Sequence, residues 1–305
     1  MAGLVSWSVG SILNESLKDT LQFAAWYLEA GADQLVLMFD DPEDAAIDIL
    51  DRKASITCIP CTDVFWETLG LTRETRFTRR QNAALSWAYG QAGTDWFLNV
   101  DGDEFLFLRD GPVSGFLAAQ PNDVEAVRVE TAEIVASHSP VDASFFRLPM
   151  HRRVARRVYG EDFPLFGPRR QGLVGHADGK SCIRTGLAGV QLRQHWAQRG
   201  KDRVSERLVG RAEGAYLLHF IGLDYPAWRA KVDWRSASRG FTAPLTERIQ
   251  AALSGQDPEG ALRSLHERLH SADAQLLLRL REEQSLLSLE LSMRDLLERH
   301  FEGAA

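Results

Sequence analysis

The sequence predicts an α/β fold: a mixed, mainly parallel sheet flanked by helices, with a helical C-terminal tail. As far as residue 100, short apolar segments of strand type alternate with segments whose apolar residues recur at helical spacing. Such an alternation is typical of parallel strands joined by right-handed helical crossovers. From residue 258 onward, leucines recur at helical spacing with charged residues between them, which predicts the helical tail.

The N-terminal elements follow this alternation in order. Strands are predicted over 4–13, 34–39, 55–59 and 95–100, and helices over 17–30, 43–51 and 78–91. Gly31 suits the C-cap of the first helix, because glycine readily adopts the left-handed conformation found at helix ends. Further on, we predict strands over 125–135, 180–184, 190–195 and 215–221, a loop over 160–179, and helices over 225–235 and 274–301.

The composition is that of an ordinary soluble protein, with 45% hydrophobic and 25% charged residues among 305. The formal net charge of -7 gives no case for nucleic-acid binding. We find no signal peptide and no apolar run near the roughly 20 residues that span a bilayer, so a cytoplasmic protein is expected. Arg152, Arg153, Arg156 and Arg157 form a basic cluster, which leaves open a peripheral contact with a membrane surface.

The segment 96–105 joins a buried strand to a group of carboxylates. The strand is expected to end where Asp101, Gly102 and Asp103 begin, because these residues are poor strand formers, and Glu104 follows them. Carboxylates crowded at a strand end repel one another unless a cation, most simply a divalent metal, lies between them. In open α/β sheets, ligands bind beyond the carboxyl ends of the strands. The segment therefore predicts a metal-dependent site at one edge of the sheet.

The spacing of Asp101 and Asp103 indicates a phosphate-bearing ligand. Mg²⁺ and Mn²⁺ use few carboxylates together with phosphate oxygens, so this pair suits a nucleoside diphosphate bridged by a metal. Two other interpretations stay open. A metal-dependent phosphohydrolase would use the same carboxylates with water as the nucleophile. A non-catalytic nucleotide- or sugar-binding module would need only the cleft.

Several motifs, in this order, resemble those of the glycosyltransferase family 2-like proteins, which have a GT-A fold. The signature Asp-x-Asp-Glu-Phe is matched without departure at 101–105. The other matches are Asn14-Glu15, Trp26 with Gly31, Met38-Phe39-Asp40-Asp41, Arg80-Gln81-Asn82, the segment 179–184, His195, and Leu217-Leu218-His219-Phe220 followed by Lys231. The Tyr-His that usually follows the tryptophan is degraded, since Leu28 follows Tyr27 here. The resemblance covers roughly residues 3–235.

The resemblance implies a Rossmann-related GT-A domain over residues 1–240, followed by a helical extension over 241–305. It implies a sugar transferase that uses a nucleotide-sugar donor, with a UDP-sugar favoured, a divalent metal (Mn²⁺ or Mg²⁺), and a glycan or another hydroxyl acceptor. Such enzymes often build bacterial surface polysaccharides. Whether the C-terminal helix packs on its own domain or joins two copies in a homo-oligomer stays open.

The resemblance also implies roles for single residues. Asn14 with Asp40 or Asp41 would contact the nucleoside. Asp101 would lie near the ribose or the metal, and Asp103 would be the strongest metal ligand. A later histidine often completes the metal site in this fold, and His219 is the first candidate and His195 the second. A histidine ligand would favour Mn²⁺ over Mg²⁺.

Charged residues beyond the acidic segment supply the remaining candidates. Lys180 and Arg184 are candidates for binding the diphosphate through their positive charge. Transfer with inversion needs a general base on the acceptor side. Glu133 ranks ahead of Glu130 and Asp178 for this role, because it stands among apolar residues and a buried carboxyl group holds its proton more readily. The sequence leaves retention of configuration open.

Overall fold

The structure, a computed structural model, describes residues 5–137, 143–167, 169–237 and 240–302. The strands are β1 (Trp7–Leu13), β2 (Gln34–Phe39), β3 (Ile56–Pro60), β4 (Trp96–Asn99), β5 (Glu104–Leu108), β6 (Ala126–Val129), β7 (Thr131–Ser137), β8 (Ser144–Arg147), β9 (Lys180–Arg184), β10 (Val190–Leu192), β11 (Ala197–Arg199), β12 (Asp202–Arg203), β13 (Glu206–Val209), β14 (Ala215–His219), β15 (Ser271–Ala272) and β16 (Leu286–Leu289). The helices are α1 (Leu17–Glu29), α2 (Ala46–Leu50), α3 (Asp63–Thr68), α4 (Phe77–Gln91), α5 (Val113–Ala118), α6 (Arg152–Tyr159), α7 (Phe163–Phe166), α8 (Tyr225–Ala237), α9 (Ala243–Leu253), α10 (Pro258–His270), α11 (Ala274–Glu282) and α12 (Met293–His300). Within these described ranges, no helix has the length and apolar character needed to cross a membrane.

The chain forms two compact units. The first comprises Met1–Glu130, Asp178–Leu217 and Ser292–Ala305, as far as the structure describes them. The second comprises the described parts of Thr131–Ala177 and Leu218–Leu291. Strand β14 passes from the first unit into the second. The units do not follow chain order, and the functional division between residues 240 and 241 stays a prediction.

The first unit is built on a mixed sheet with the strand order β13-β6-β9-β4-β1-β2-β3. Strands β3, β2, β1 and β4 run parallel to their neighbours in this series. Strand β9 runs antiparallel to both β4 and β6, and β13 runs parallel to β6. The prediction of a mixed, mainly parallel sheet is therefore confirmed.

Helices cover both faces of this sheet. On one face, Tyr27 of α1 lies edge-on to Trp7 of β1, with 6.3 Å between the ring centres. On the other face, α4 packs against β1, and Ile12, Leu85 and Phe97 share one buried cluster. Successive strand residues point to opposite faces, so Trp7 and Ile12 each serve a different helical layer. The predicted flanking helices are thus confirmed.

Helix α12 also belongs to the first unit and packs against α1. Leu297 and Phe301 are buried, and Arg299 and His300 each lie 2.9 Å from a carboxylate oxygen of Glu29. The helical character of the C-terminal region is confirmed by α9 to α12. The interaction of a C-terminal helix with a second copy of the chain stays a prediction.

The single helix predicted over 274–301 is wrong. Helix α11 ends at Glu282, Gln284 has a φ of 53°, and the chain then forms β16. Strand β16 pairs antiparallel with β8, and Leu287 is buried. Leucines fit a buried strand as well as a helix, so their spacing did not reveal the break.

The second unit combines a small sheet with helices. Strand β7 pairs antiparallel with β8, β8 pairs antiparallel with β16, and β15 pairs parallel with β7. The four arginines of the basic cluster are exposed on α6, where Arg157 lies 2.6 Å from Glu283. A contact between this cluster and a membrane stays a prediction.

Two further sequence predictions are wrong near this unit. The strand predicted over 125–135 is two strands, β6 in the first unit and β7 in the second. The β-type residues continue across Glu130, so the pattern did not mark the break. The loop predicted over 160–179 contains the short helix α7, because Phe163, Leu165 and Phe166 are buried there.

Candidate functional site

The carboxyl ends of β1, β2 and β4 lie side by side at one edge of the first unit's sheet. Leu13, the last residue of β1, is in register with Phe39, and the Asp40 amide donates to the Leu13 carbonyl at 3.0 Å. Strand β4 pairs with the other side of β1, and the Val100 amide donates to the Gly10 carbonyl at 3.2 Å. The side chains that follow these three strands therefore share this edge; they are Asn14, Asp40, Asp41, Asp101 and Asp103.

Gly102 lets the acidic segment pass close to the end of β1. A Cβ atom at this position would lie 2.9 Å from Cγ of Glu15 and 3.0 Å from Cδ2 of Leu13. Asp101 and Asp103 are partly exposed, whereas Glu104 is fully buried at the start of β5. Within this segment, Asp101 and Asp103 are therefore the carboxylates that a ligand can reach.

Asp101 is held by buried polar side chains. Lys180 Nζ lies 2.8 Å from Oδ2 of Asp101, and Gln81 Nε2 donates to Oδ1 at 2.6 Å. Oε2 of Glu104 accepts from the Asp101 amide at 2.9 Å and lies 3.3 Å from Lys180 Nζ. Burial lowers the pKa of Lys180, but Asp101 and then Glu104 outweigh burial and raise that pKa above its ordinary value. Lys180 is therefore a protonated partner of both carboxylates.

His195 lies in the same unit, and a backbone contact fixes its ring. Its Nδ1 lies 3.0 Å from the Gly179 carbonyl oxygen, which can only accept, so we assign the proton to Nδ1 and the lone pair to Nε2. Burial first, and then the charge of Lys180, lower the pKa of His195 to about 4, while Asp101 acts in the opposite direction. A neutral imidazole that donates its N–H to a carbonyl is the usual form of a metal-binding histidine.

The donor types that Asp103, Asp178 and His195 offer in the first unit are ones that fit a divalent cation. Asp103 supplies a carboxylate at the sheet edge, and His195 supplies an imidazole whose tautomer is fixed. One carboxylate oxygen of Asp178 lies within 4.8 Å of a ring nitrogen of His195. Carboxylate with imidazole is a combination that Mn²⁺ accepts better than Mg²⁺ does.

Asp40 is oriented by Arg80 of α4. The guanidinium pairs with Asp40 through both carboxylate oxygens, and its Nη2 lies 3.4 Å from Oδ2. The guanidinium carbon lies 4.9 Å from the ring centre of Trp66 and 5.5 Å from that of Phe77. Asp41, by contrast, accepts a local hydrogen bond from the Glu43 amide and is exposed. Asp40 is thus fixed by a side chain of another element, and Asp41 is held by the backbone of its own turn.

Lys180 and Arg184 lie at opposite ends of β9. Because β9 runs antiparallel to β4, Arg184 is in register with Trp96 at the start of β4, far from Asp101. Its guanidinium stacks on the Trp96 ring at 4.3 Å and donates to the Val124 carbonyl at 2.9 Å. The structure does not bring Arg184 to the edge that carries Asp101, and the predicted diphosphate contact by Arg184 finds no support in this position.

Glu133 lies in the second unit and is completely buried. Its carboxylate is 2.6 Å from Nη2 of Arg147, and it accepts from the amides of Val174 at 2.8 Å and Gly175 at 2.6 Å. These contacts engage both oxygens with internal donors. The role of Glu133 as a general base stays a prediction, and its contacts are those of a structural ion pair.

His219 also lies in the second unit, at the end of β14, and is 6% exposed. Its ring centre is 5.8 Å from that of His176. A Cβ atom on Gly175 would lie 3.1 Å from Cε1 of His219. The position of His219 as a metal ligand stays a prediction, whereas His195 belongs to the same unit as Asp103.

Sequence reasoning did not single out Arg80, Gln81 and Glu104 as site residues. Arg80 and Gln81 are adjacent polar residues on the buried side of α4, and Glu104 opens a strand. Two adjacent polar residues in an otherwise apolar helix face are a weak signal of burial, because periodicity alone cannot separate a buried polar side chain from an exposed one.

No protein-family model matches this chain, and no curated protein sequence matches it either. Among solved structures, HddC from Yersinia pseudotuberculosis is similar with 10% identity and a TM-score of 0.40, over 76% of this chain and 100% of that chain. The mannosyltransferase PcManGT from Pyrobaculum calidifontis, in complex with GDP-Man and Mn²⁺, is similar with 12% identity and a TM-score of 0.38, over 97% and 79%. Glucosyl-3-phosphoglycerate synthase from Mycobacterium tuberculosis, in complex with Mn²⁺, UDP and glucosyl-3-phosphoglycerate, is similar with 11% identity and a TM-score of 0.36, over 88% and 82%. Likenesses this distant carry no argument about fold or function, which rest on the chain's own residues.

Proposed function

We propose that this protein is a glycosyltransferase that moves a sugar from a nucleotide-diphosphate donor to an acceptor hydroxyl with the help of a divalent metal. One observation carries the proposal: the ends of three parallel strands bring Asp40 and the pair Asp101 and Asp103 to one sheet edge. A nucleoside diphosphate has two parts, a nucleoside and an anionic diphosphate that binds a metal. Asp40 suits the first part, and the pair Asp101 and Asp103 suits the second. The Asp-x-Asp-Glu-Phe resemblance favours the same function.

Asn14 and Asp40 are the proposed contacts of the nucleoside. Because Arg80 holds the Asp40 carboxylate in place, little ordering of Asp40 is needed when a ligand binds. A carboxylate paired in this way still has lone pairs that accept from a base N–H or a ribose hydroxyl. A UDP-sugar is the favoured donor, and this preference comes from the resemblance.

Asp103 and His195 are the proposed metal ligands, with Mn²⁺ favoured over Mg²⁺. When bound, the metal would neutralise the charge on the departing diphosphate. This chain would contribute one carboxylate, from Asp103, and one neutral imidazole of fixed tautomer, from His195. His219, the first histidine candidate from the resemblance, is tested against His195 in the experiment below.

We propose transfer with inversion, and Glu130 rather than Glu133 as the general base. Strands β6 and β4 both run antiparallel to β9, so Glu130 follows β6 at the same sheet edge as Asp101. Burial first raises the pKa of Glu130, and Glu213 adds to the rise, while Arg211 acts in the opposite direction. A carboxylate with a raised pKa is suited to taking a proton from an acceptor hydroxyl.

A thermal-unfolding panel tests the proposal. The wild type is heated with UDP-, GDP-, CMP- and dTDP-sugars, each with and without Mn²⁺. A ligand present at ~100 times its dissociation constant should stabilise the fold by about 2.7 kcal/mol. We expect a shift of this size for one nucleotide, only with Mn²⁺, and its loss in Asp103→Asn and His195→Gln.

Two variants serve as controls for this panel. Asp123→Asn removes an exposed aspartate elsewhere in the first unit and should keep the full shift. His219→Gln should also keep the full shift in unfolding temperature if His195 is the histidine ligand. If the folded wild type gives no shift with any nucleotide, the proposal is refuted. Phosphate release from nucleotides without sugar transfer would favour the phosphohydrolase instead.

A further inference from the structure

Asn99 is a buried polar residue at the end of an apolar strand. It is 0% exposed and follows Phe97 by two residues, so both side chains of β4 point to the same face of the sheet. On that face, Phe97 shares one buried cluster with Leu192 and Ala197, which flank the turn 193–196 between β10 and β11. The amide group of Asn99 therefore lies next to this turn.

Three successive carbonyl groups of the turn accept hydrogen bonds from buried side chains. Nδ2 of Asn99 donates to the carbonyl oxygens of Arg193 at 3.1 Å and Gln194 at 3.3 Å, and because carbonyl oxygens only accept, the orientation of the amide is fixed. Ser181 of β9 is also 0% exposed, and its hydroxyl group donates to the His195 carbonyl at 3.0 Å. Two neighbouring strands thus hold the backbone that carries His195.

Gln81 of α4 adds a further contact and links the turn to the acidic segment. Its side-chain oxygen accepts from Nε2 of Gln194 at 2.8 Å, and its own Nε2 donates to Asp101 at 2.6 Å. Gln81 is 2% exposed, and hydrogen bonds removed from water in this way specify one arrangement of their groups. The turn is therefore fixed relative to two strands, a helix and Asp101.

We propose that Asn99, Ser181 and Gln194 are positioning residues for His195. By holding the turn, they fix the His195 ring where Nδ1 donates to the Gly179 carbonyl at 3.0 Å and Nε2 keeps its lone pair. This inference deepens the proposed function: the use of the lone pair rests on the proposed metal site, whereas the positioning itself does not.

One hydrogen bond does not order a ring by itself. Its net free energy is small, because water offers an equivalent bond to a free side chain. The bond to Gly179 selects one tautomer of His195 only if the backbone beneath the ring is already ordered, since the entropy cost of ordering is then met during folding. A neutral imidazole has two tautomers, so a loosened turn should allow the second tautomer to appear.

A consequence for metal binding follows from the same geometry. Removing the groups that orient a metal-binding imidazole typically weakens metal affinity or activity by about 10- to 100-fold. Asn99, Ser181 and Gln194 act on His195 through its backbone rather than through its ring. We therefore expect effects near the lower end of that range.

Nuclear magnetic resonance of the full-length, metal-free protein with ¹⁵N-labelled histidine rings reads the tautomer. In the wild type, His195 should carry its proton on Nδ1, and His195→Gln identifies the signal by removing it. Ser181→Ala and Gln194→Met, alone and together, should show a mixture of the two tautomers. Asn99→Ala frees two carbonyl groups and should show a larger share of the second tautomer than either single change.

Thermal unfolding without metal establishes which variants are folded. If Asn99→Ala is unfolded, Ser181→Ala and Gln194→Met decide the test, because each removes one hydrogen bond and little volume. Ser205→Ala and Asn122→Ala change exposed residues of the first unit and should keep the wild-type tautomer. A wild-type tautomer in every folded variant of the three positions would overturn the proposal.

A titration with Mn²⁺ alone, followed by the electron paramagnetic resonance signal of the free ion, tests the link to the metal site. The dissociation constant should rise by about tenfold in Asn99→Ala, and adding this change to His195→Gln should cause no further loss. Additive losses would overturn the link, because Asn99 would then act independently of His195. Because the spectra need neither metal nor nucleotide, failure of the donor panel with the expected change of tautomer would refute the transferase and leave the positioning role standing.

Discussion

At the scale of single residues, Gly179 decides where two site residues lie. It has a φ of 70°, and a Cβ atom there would overlap the Val129 carbonyl oxygen. Its own carbonyl accepts from His195, and Lys180 follows it directly. We expect Gly179→Ala to lower the free energy of unfolding by more than about 2 kcal/mol, because a left-handed φ alone costs about 1–2 kcal/mol and the overlap adds to this cost.

Urea unfolding of the variant measures this loss, and the chain offers a matched control. Gly186 has a φ of 72°, but a Cβ atom at Gly186 would meet nothing within 4 Å. Gly186→Ala should therefore lose only the about 1–2 kcal/mol that the backbone conformation costs. Equal losses in the two variants would mean that a small backbone shift relieves the overlap with Val129. Close packing at Gly179 would then not be needed to position Lys180 and His195.

Residues adjacent in sequence were predictable, whereas their distant partners were not. Asp101 and Asp103 stand out because a strand, a glycine and the two carboxylates are contiguous. Lys180 lies 79 residues away from Asp101, and no local pattern pairs the two. Its positive charge was noted, but its burial depends on how β9 enters the sheet beside β4. Register between distant strands is a tertiary property that a single sequence does not encode locally.

At the scale of secondary-structure elements, one buried ion pair joins three parts of the second unit. Glu133 on β7 and Arg147 on β8 are in register, and Nη2 of Arg147 donates to the Leu269 carbonyl of α10 at 2.7 Å. Arg147→Met should lower the free energy of unfolding by about 3–5 kcal/mol, because Glu133 would be left as an uncompensated buried charge.

Urea unfolding followed by circular dichroism checks this loss against an exposed pair. Arg294 and Glu298 lie 2.9 Å apart on α12, with the arginine side chain 87% exposed. Arg294→Met should cost at most about 0.5 kcal/mol. If Arg147→Met kept its stability but lost transferase activity, the prediction of Glu133 as the general base would be favoured again.

Elements were predictable where one periodicity dominated, and they were missed where two periodicities competed. The strands over 34–39 and 180–184 agree with β2 and β9, because apolar β-type residues fill them and polar residues or glycine flank them. The leucines over 286–289 continue a helical spacing, yet they pair with β8 as a strand. Pairing with a buried strand outweighs a weak helical preference. The spacing of apolar residues in the sequence does not reveal pairing with a distant strand.

At the scale of the whole molecule, acid should weaken the fold through buried histidines. His270 is 1% exposed, and its ring centre lies 4.9 Å from that of His266 and 6.4 Å from that of Trp228. Burial first, and then Arg147, His266 and Arg235, lower the pKa of His270 well below its ordinary value. The folded chain therefore keeps this ring neutral, whereas in the unfolded chain the same ring takes up a proton at about pH 6.5.

The sign of the pH dependence follows from this difference. The stability that the neutral ring contributes is fully present above about pH 6.5 and is lost as the pH falls below it, at about 1.4 kcal/mol per pH unit. Urea unfolding at several pH values between about 7 and 5 measures this slope, and His270→Gln should make it shallower by that amount. His151→Gln, at an exposed position, is the control and should keep the wild-type slope. A wild-type slope in His270→Gln would mean that the folded chain binds the proton as readily as the unfolded one, and acid sensitivity would then have to arise elsewhere.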